Sequence, residues 1–329
     1  MRDGLVDAIG DTPLIVLPKL SAALGRTIAG KAEFLNPGGS VKDRAARGII
    51  EDFERRGVLA PGGTVVEGTA GNTGIGLALV GNARGYRTVI VMPDDQAQEK
   101  YGLLRTFGAD LRVVPAVPFT NDANYYHEAR RVAESIPGAV WANQFENVAN
   151  RAAHEATTGP EIVAQTGGEL DAFVAAAGTG GTIAGVGRAL KAHDPRIRVV
   201  LADPYGSALF SYVKTGELTA EGDSNAEGIG IKRITANFEG ATVDDALRVD
   251  DRTLVEMAHW LLRAEGLFVG GSAALNVAAA ARYARTLPAG SVVVTVLCDG
   301  GERYRSRLYD DAWLRENDVV PVAQDLAFL

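Results

Sequence analysis

Short apolar runs recur along the chain and alternate with longer segments of a different periodicity. The runs are TVVEG, TVIVM, LRVVP, AVWAN, AFVAAAG, VVLADP and VVVTVLCD, starting at residues 64, 88, 111, 139, 172, 199 and 292. They are rich in β-branched residues and apolar on both faces, which is typical of parallel strands covered by helices. Between most of them lie segments with helical spacing, such as NTGIGLALVGNARG and TNDANYYHEARRVAES. The pattern predicts an α/β fold with mostly parallel sheets.

Composition narrows the class of protein. The chain has 329 residues, of which 47% are hydrophobic and 22% charged, so it can bury the core of two domains or one large one. A net charge of −8 without a polybasic run argues against nucleic acid as a partner. The first 18 residues lack the uninterrupted apolar segment of a signal peptide, and no apolar run is long enough for a membrane span.

Cysteine and histidine usage bears on compartment and metal binding. The single cysteine, Cys298, permits no intrachain disulfide, which favours a cytoplasmic location. Because Cys298 ends an apolar run, we expect a small buried residue there. The four histidines, His127, His154, His193 and His259, show no metal-ligand spacing, so no metal site is predicted.

Three glycine-rich segments follow strand-like runs and open helix-like ones, at 67–79, 175–190 and 268–284. In α/β folds, ligands bind at such turns, beyond the carboxyl ends of the strands. Within the second segment, GTGGT can aim several backbone N–H groups at one point beside a helix start, as a phosphate site requires. The alternative is a tight turn that needs glycine only for packing. The motif departs from the G-x-G-x-x-G of dinucleotide folds at Ile183, which disfavours an NAD-dependent oxidoreductase.

The first segment contains TAGNTG, residues 69–74, which offers polar side chains beside backbone donors at a helix start. Such a loop suits a carboxylate, and the amide of Asn72 can bond a phenolic oxygen. The alternative is again a turn that happens to carry polar residues.

Lys42 lies in GGSVKDR, where Ser40 is a candidate helix N-cap and Val41, Ala45 and Ala46 are candidate buried positions. A lysine in the first turn is opposed by the helix dipole, so the setting indicates a reactive amine with a lowered pKa rather than an exposed charge, which remains the alternative. Together these segments predict one ligand with an aldehyde, a phosphate and a phenolic oxygen. Pyridoxal 5′-phosphate (PLP) has all three.

The motifs NPGGSVKDR, GTAGNTG, GTGGT, NQFENVANRAAHEATTGPEI and CDGGERY, in this order, resemble the cysteine synthase and cystathionine β-synthase family. The resemblance spans about residues 5–310. It implies a fold-type II PLP enzyme with cofactor in the cleft between two α/β domains, usually a homodimer. The larger, phosphate-binding domain would comprise 1–38 and 150–329, and the smaller, mobile domain 39–149 would carry the substrate loop.

The resemblance also assigns roles to residues. It implies that Lys42 is the catalytic residue and forms a Schiff base with PLP, that Asn72 bonds its 3′-oxygen, and that Ser272 faces its pyridine nitrogen. Asp299 is the alternative partner of that nitrogen. The residues implied for the phosphate are Gly178, Thr179, Gly180, Gly181 and Thr182. The residues implied for the amino-acid substrate are Thr69, Ala70, Gly71, Asn72, Thr73, Gln144 and Gly228.

The implied activity is β-replacement on an activated serine, such as O-acetylserine, by sulfide to give L-cysteine through an aminoacrylate. A neutral serine at the ring nitrogen favours loss of a β-leaving group over transamination. Two departures leave the substrate open: Ala70 replaces the family's serine, and VGGSAAL replaces GISSGAA. The alternatives are a cysteine desulfhydrase, releasing pyruvate, ammonia and sulfide, or another β-substituted alanine synthase. A serine acetyltransferase partner cannot be judged from the sequence.

Overall fold

Two separate sheets organise the chain, in a computed structural model that describes all of residues 1–329. The strands are β1 Leu14–Val16, β2 Thr27–Ala32, β3 Thr64–Gly68, β4 Arg87–Pro93, β5 Asp110–Val114, β6 Ala139–Trp141, β7 Ala172–Ala176, β8 Arg198–Pro204, β9 Asp245–Val249 and β10 Val292–Leu297. The larger sheet has the order β1-β2-β10-β7-β8-β9, and the smaller has β5-β4-β3-β6. Every pairing is parallel except that of β1 with β2, so the predicted α/β class is confirmed.

Helices cover both sheets. They are α1 Pro18–Leu24, α2 Lys42–Arg55, α3 Asn72–Arg84, α4 Gln98–Thr106, α5 Tyr125–Ser135, α6 Ala149–Ala153, α7 Gly159–Thr166, α8 Gly181–His193, α9 Leu209–Thr215, α10 Asp251–Trp260, α11 Gly271–Ala284 and α12 Asp311–Glu316. Two π-helical segments, His154–Thr158 and Leu261–Glu265, and two 3-10 helices, Glu33–Leu35 and Gly301–Tyr304, complete the set. None of the helices is long and apolar enough to cross a membrane.

The apolar character of the strands follows from burial on both faces. In β10, Val293, Val294, Val296 and Leu297 are all buried, and they contribute to hydrophobic clusters on opposite sides of the larger sheet. Helix α11 lies in the larger of these clusters and has twelve of its fourteen residues buried. Its run of alanines fits this position, since small side chains permit close approach to the neighbouring sheet.

The sequence pattern misses three strands and misplaces one boundary. Strand β1 is a run of only three apolar residues, and β2 and β9 carry no continuous apolar run; β2 contains both Gly30 and Lys31, although Lys31 is fully buried. The tract 212–234, expected to be loop, begins with the last turn of α9, and only residues from 216 onward lack helix and strand. The strands of the smaller sheet all fall within 39–149, which is compatible with the predicted domain boundaries.

Candidate active site

A cavity of about 710 Å³ opens where β3, β7 and β10 end. The predicted site residues converge on it from all three glycine-rich segments and from the start of α2. Those that line the cavity are Lys42, Thr69, Ala70, Gly71, Asn72, Thr73, Gln144, Gly178, Thr179, Gly180, Thr182, Gly228 and Ser272. Gly181 alone of the predicted set does not line it. The volume of the cavity is within the usual range for a small-molecule site.

Lys42 is the first residue of α2, and its backbone is tied to the end of β10. The prediction of Ser40 as the N-cap is wrong by one residue, since Val41 occupies that position and offers no capping oxygen. The Ser40 hydroxyl, just before the helix, accepts the Lys42 N–H at 3.2 Å. The Val41 N–H donates to the Cys298 carbonyl at 2.8 Å. Val41, Ala45 and Ala46 are buried, as expected. These contacts hold the amine-bearing residue at the carboxyl edge of the larger sheet.

The GTGGT loop presents unused backbone donors at the start of α8. The N–H groups of Thr179, Gly180 and Thr182 donate to no protein acceptor. Gly180 has φ +83°, and a Cβ there would lie 2.5 Å from the Cβ of Phe238, so only glycine fits. The helix dipole adds to the attraction of these N–H groups for an anion.

The threonine hydroxyls of this loop are oriented by two residues that sequence reasoning does not single out. Asn150 Nδ2 donates to Thr179 Oγ1 at 2.9 Å, and His154 Nε2 lies 3.2 Å from Thr182 Oγ1. His154 Nδ1 lies 2.9 Å from Thr158 Oγ1, and burial lowers the pKa of His154 well below its ordinary value. A neutral imidazole therefore holds Thr182 in place. Asn150 and His154 both belong to the motif NQFENVANRAAHEATTGPEI, so the family resemblance could have pointed to them.

The TAGNTG loop repeats this arrangement at the start of α3. The backbone N–H groups of Ala70, Asn72 and Thr73 have no protein acceptor. Thr73 Oγ1 donates to Gln144 Oε1 at 2.5 Å, and Gln144 Nε2 donates to the Gly68 carbonyl at 3.3 Å. Free donors at a helix start suit a carboxylate, so this geometry supports the predicted substrate loop.

Ser272 and Asp299 differ in their relation to the cavity. Ser272 lines it, near the start of α11. Asp299 is fully buried outside the lining, where its carboxylate accepts hydrogen bonds from Asn72 and Tyr304. The placement favours Ser272 over Asp299 as the group that meets a cofactor ring.

Cys298 lines the cavity and is partly exposed to it, so the prediction of a small buried residue there is wrong. The Asn276 amide Nδ2 lies 3.3 Å from its sulfur. Burial raises the pKa of the Cys298 thiol to about 11, so the thiol is protonated at neutral pH and is a poor nucleophile.

The cavity lining also includes charged and aromatic side chains that the sequence does not predict. Lys100 of α4 forms an ion pair with Glu227, in the loop that also contains Gly228. Further along this loop, the Arg233 guanidinium carbon lies 4.7 Å from the ring centroid of Phe119 and 5.3 Å from that of Phe145. These contacts join the loop to residues near the smaller sheet. They depend on segments far apart in the chain, so no local pattern reveals them.

The residues present fit PLP. The free N–H groups of GTGGT match its phosphate, Lys42 offers an amine for its aldehyde, and Ser272 offers a neutral hydroxyl in the cavity lining. A Cβ at Gly178 would overlap the carbonyl oxygen of Gly228, so the phosphate loop and the opposite wall are in close contact. No cluster of His, Cys, Asp or Glu in the structure is arranged to hold a metal ion.

Comparison with known proteins agrees with this geometry. The family model described as pyridoxal-phosphate dependent enzyme matches residues 5–299. A relative named cysteine synthase 1, from Emericella nidulans, is 55% identical over 96% of this chain and 87% of its own length. A cysteine synthase from Dictyostelium discoideum is 46% identical over 97% of this chain and 87% of its own length.

Solved structures show the same architecture. An O-acetylserine dependent cystathionine β-synthase from Helicobacter pylori has a TM-score of 0.85 at 36% identity, covering 93% of this chain and 98% of its own. An O-ureido-L-serine synthase has a TM-score of 0.86 at 36% identity, covering 96% and 99%. The family match over most of the chain, together with these relatives, confirms the predicted resemblance and cofactor: this chain belongs to the pyridoxal-phosphate dependent enzymes.

Proposed function

We propose that this protein is a cysteine synthase: it replaces the β-substituent of an activated serine, such as O-acetylserine, by sulfide to form L-cysteine. The observation that carries the proposal is the convergence of Lys42, the GTGGT donors and the TAGNTG donors on one cavity. The relatives named cysteine synthase, at up to 55% identity over nearly the whole chain, support the same reaction.

Each group of residues has a distinct part in this reaction. Bound PLP supplies an electron sink that makes the α-proton of an attached amino acid acidic. The GTGGT loop would hold its phosphate, and Lys42 would hold its aldehyde carbon. When it is free, the Lys42 amine would accept the α-proton of the substrate at Nζ. The N–H groups of Ala70, Asn72 and Thr73 would bind the substrate carboxylate.

The neutral hydroxyl of Ser272 would determine how strongly bound PLP withdraws electrons from the substrate. A carboxylate at that position would favour a protonated ring nitrogen, whereas a serine hydroxyl carries no charge to do so. With Ser272 at the ring nitrogen, loss of a β-substituent would therefore be favoured. This supports β-replacement or β-elimination over transamination.

A second candidate function, cysteine desulfhydrase, is supported by Ala70. This residue lines the cavity at the start of α3 but offers no side-chain donor. Weaker retention of the substrate carboxylate would favour release of pyruvate and ammonia. Synthesis of another β-substituted alanine is a third candidate, since one structural neighbour is an O-ureido-L-serine synthase.

The same proposal includes the finer organisation of the protein. It is a homodimer in the cytoplasm, with a mobile domain of residues 39–149 and a larger domain of 1–38 and 150–329. Sedimentation equilibrium measures the oligomeric state, and limited proteolysis with and without substrate measures whether 39–149 moves as a unit.

Incubation with substrates tests the activity. Purified protein should show the visible absorption of a PLP Schiff base and convert O-acetylserine and sulfide into cysteine. Parallel reactions with cysteine alone, with serine and with other thiols should be assayed for both amino-acid products and pyruvate. Pyruvate without a replacement product would favour the desulfhydrase, and a colourless protein that makes neither product would refute the proposal.

A further inference from the structure

The side-chain amide of Asn72 is held at both ends. Its Oδ1 accepts a hydrogen bond from Arg303 Nη1 at 2.5 Å, and its Nδ2 donates to Asp299 Oδ2 at 2.6 Å. Arg303 is 7% exposed and Asp299 is fully buried. Asn72 begins α3 beside the smaller sheet, whereas its two partners follow β10 of the larger one. The amide therefore connects the two halves of the molecule.

The chemistry of the two partners determines which way the amide faces. A guanidinium only donates hydrogen bonds, and a carboxylate only accepts them. Rotating the amide by 180° would set NH₂ against Arg303 and an oxygen against Asp299, which loses both bonds. In the observed orientation, one N–H of Nδ2 is used by Asp299 and the other remains available at the cavity.

Both partners are themselves fixed. Arg303 also donates to the Gly38 carbonyl, and the Tyr304 hydroxyl donates to Asp299 Oδ2 at 2.6 Å. Burial and the Asp299 carboxylate raise the pKa of Tyr304 well above its ordinary value, so its hydroxyl remains a donor. At Gly270, a Cβ would overlap the Asp299 carboxylate, so glycine is required to leave room for it.

We propose that Arg303 and Asp299 are positioning residues that lock the Asn72 amide with an N–H, rather than a carbonyl oxygen, directed at the phenolic oxygen of bound PLP. The proposal rests on the proposed function, because it requires PLP in this cavity. A phenolic oxygen with anionic character is stabilised by a donor and repelled by an acceptor. Loss of the lock would let the amide rotate and weaken this contact.

A double-mutant cycle tests the lock. The variants are Arg303→Met, Asn72→Ala and the combination, with Arg303→Lys as the conservative replacement and the exposed Arg305→Met as the matched control. The readouts are the visible spectrum of the holoenzyme, the dissociation constant of PLP and thermal unfolding. We expect Asn72→Ala and Arg303→Met each to weaken PLP binding roughly tenfold and to shift the visible band.

The distinguishing result is non-additivity. If Arg303 acts through Asn72, Arg303→Met should change neither the spectrum nor PLP binding further once Asn72 is alanine. Arg303→Lys should recover most of the wild-type spectrum, and Arg305→Met should match wild type. If Arg303→Met does not fold, Asp299→Ala removes the acceptor at the opposite end of the amide, with the same spectral shift expected.

Additive effects of Arg303→Met and Asn72→Ala would overturn the lock while leaving the proposed function intact. A wild-type spectrum in Arg303→Met or Asp299→Ala would do the same. A wild-type protein that forms no Schiff base with PLP would overturn the proposed function and the lock together.

Discussion

Lys100 and Glu227 form an ion pair that joins α4 to the loop carrying Gly228. Both side chains are nearly buried, and Arg307 forms a second ion pair with Glu227, with 3.0 Å between Nη1 and Oε1. The stem of Lys100 also packs against the substrate loop: a Cβ at Gly71 would lie 2.6 Å from Lys100 Cδ. One side chain thus supports two walls of the cavity.

Lys100→Met should loosen both walls, because it keeps the apolar stem but removes the charge beside Glu227. We expect the free energy of unfolding to fall by about 1–3 kcal/mol and the KM for the amino-acid substrate to rise more than kcat falls. Denaturant unfolding and steady-state kinetics measure the two effects. The exposed Lys19→Met is the control. Wild-type KM in Lys100→Met would show that the pair does not support the substrate loop.

Lys42→Ala should abolish turnover and the visible Schiff-base band, because no other amine is predicted to hold the PLP aldehyde. The fold should survive, since α2 is held by buried residues such as Ala45, Ile49 and Ile50. Absorption spectroscopy, circular dichroism and product assay check these outcomes. Full activity with an unchanged visible spectrum would refute the assignment of Lys42.

Replacements at Ser272 should separate charge from hydrogen bonding. Ser272→Asp places a carboxylate where the ring nitrogen is predicted to lie, so β-elimination should slow and transamination should emerge. Ser272→Ala loses only a neutral hydrogen bond, worth about 0.5–1.5 kcal/mol. Rates of cysteine, pyruvate and keto-acid formation provide the measurement. If both changes leave the rates unaltered, Ser272 is not the partner of the ring nitrogen and Asp299 becomes the candidate.

Ala70→Ser should lower the ratio of pyruvate to β-replacement product. Wild type should break down some cysteine alongside synthesis, because Ala70 lacks the hydroxyl that the family has. Adding one donor at the carboxylate loop is worth about 0.5–1.5 kcal/mol, or a two- to tenfold change in an equilibrium. Both products are assayed at equal PLP occupancy, with the exposed Ala116→Ser as control. An unchanged ratio would mean that Ala70 only packs against α3.

Glu161 should control stability in acid. Burial by itself would raise the pKa of its carboxyl, but hydrogen bonds and ion pairs with Arg44 and Lys31 outweigh this and lower it to about 2. A carboxyl pKa that is lowered by folding stabilises the folded state. The stabilisation is present in full when the pH is above the ordinary pKa near 4.5, and it disappears as the pH falls toward about 2. The amount is on the order of 3 kcal/mol.

Glu161→Gln should therefore destabilise the protein at pH 7 and flatten the dependence of its unfolding free energy on pH between about 4.5 and 2. Denaturant titrations across that range test this. Glu155→Gln, at a half-exposed position in the preceding π-helical segment, is the control. An acid limb as steep in Glu161→Gln as in wild type would contradict the prediction.

Local sequence determined the features that depend on neighbours along the chain. Apolar runs of β-branched residues form strands that helices cover on both faces. The glycines that follow these runs form turns whose backbone N–H groups are left free for a ligand. The α/β class, the GTGGT and TAGNTG loops and the position of Lys42 at a helix start could therefore be predicted, because each is a property of consecutive residues.

Tertiary structure decided what depends on groups distant in sequence. Lys31 interrupts the apolar pattern of strand β2, and its buried amine contacts the Thr12 carbonyl, Glu161 and Gln165; the last two are 130 and 134 positions away. The orientation of Asn72 depends on Asp299 and Arg303, which are 227 and 231 positions away. A buried charge or amide costs free energy unless its partner is present, and only the folded chain brings that partner within hydrogen-bonding distance.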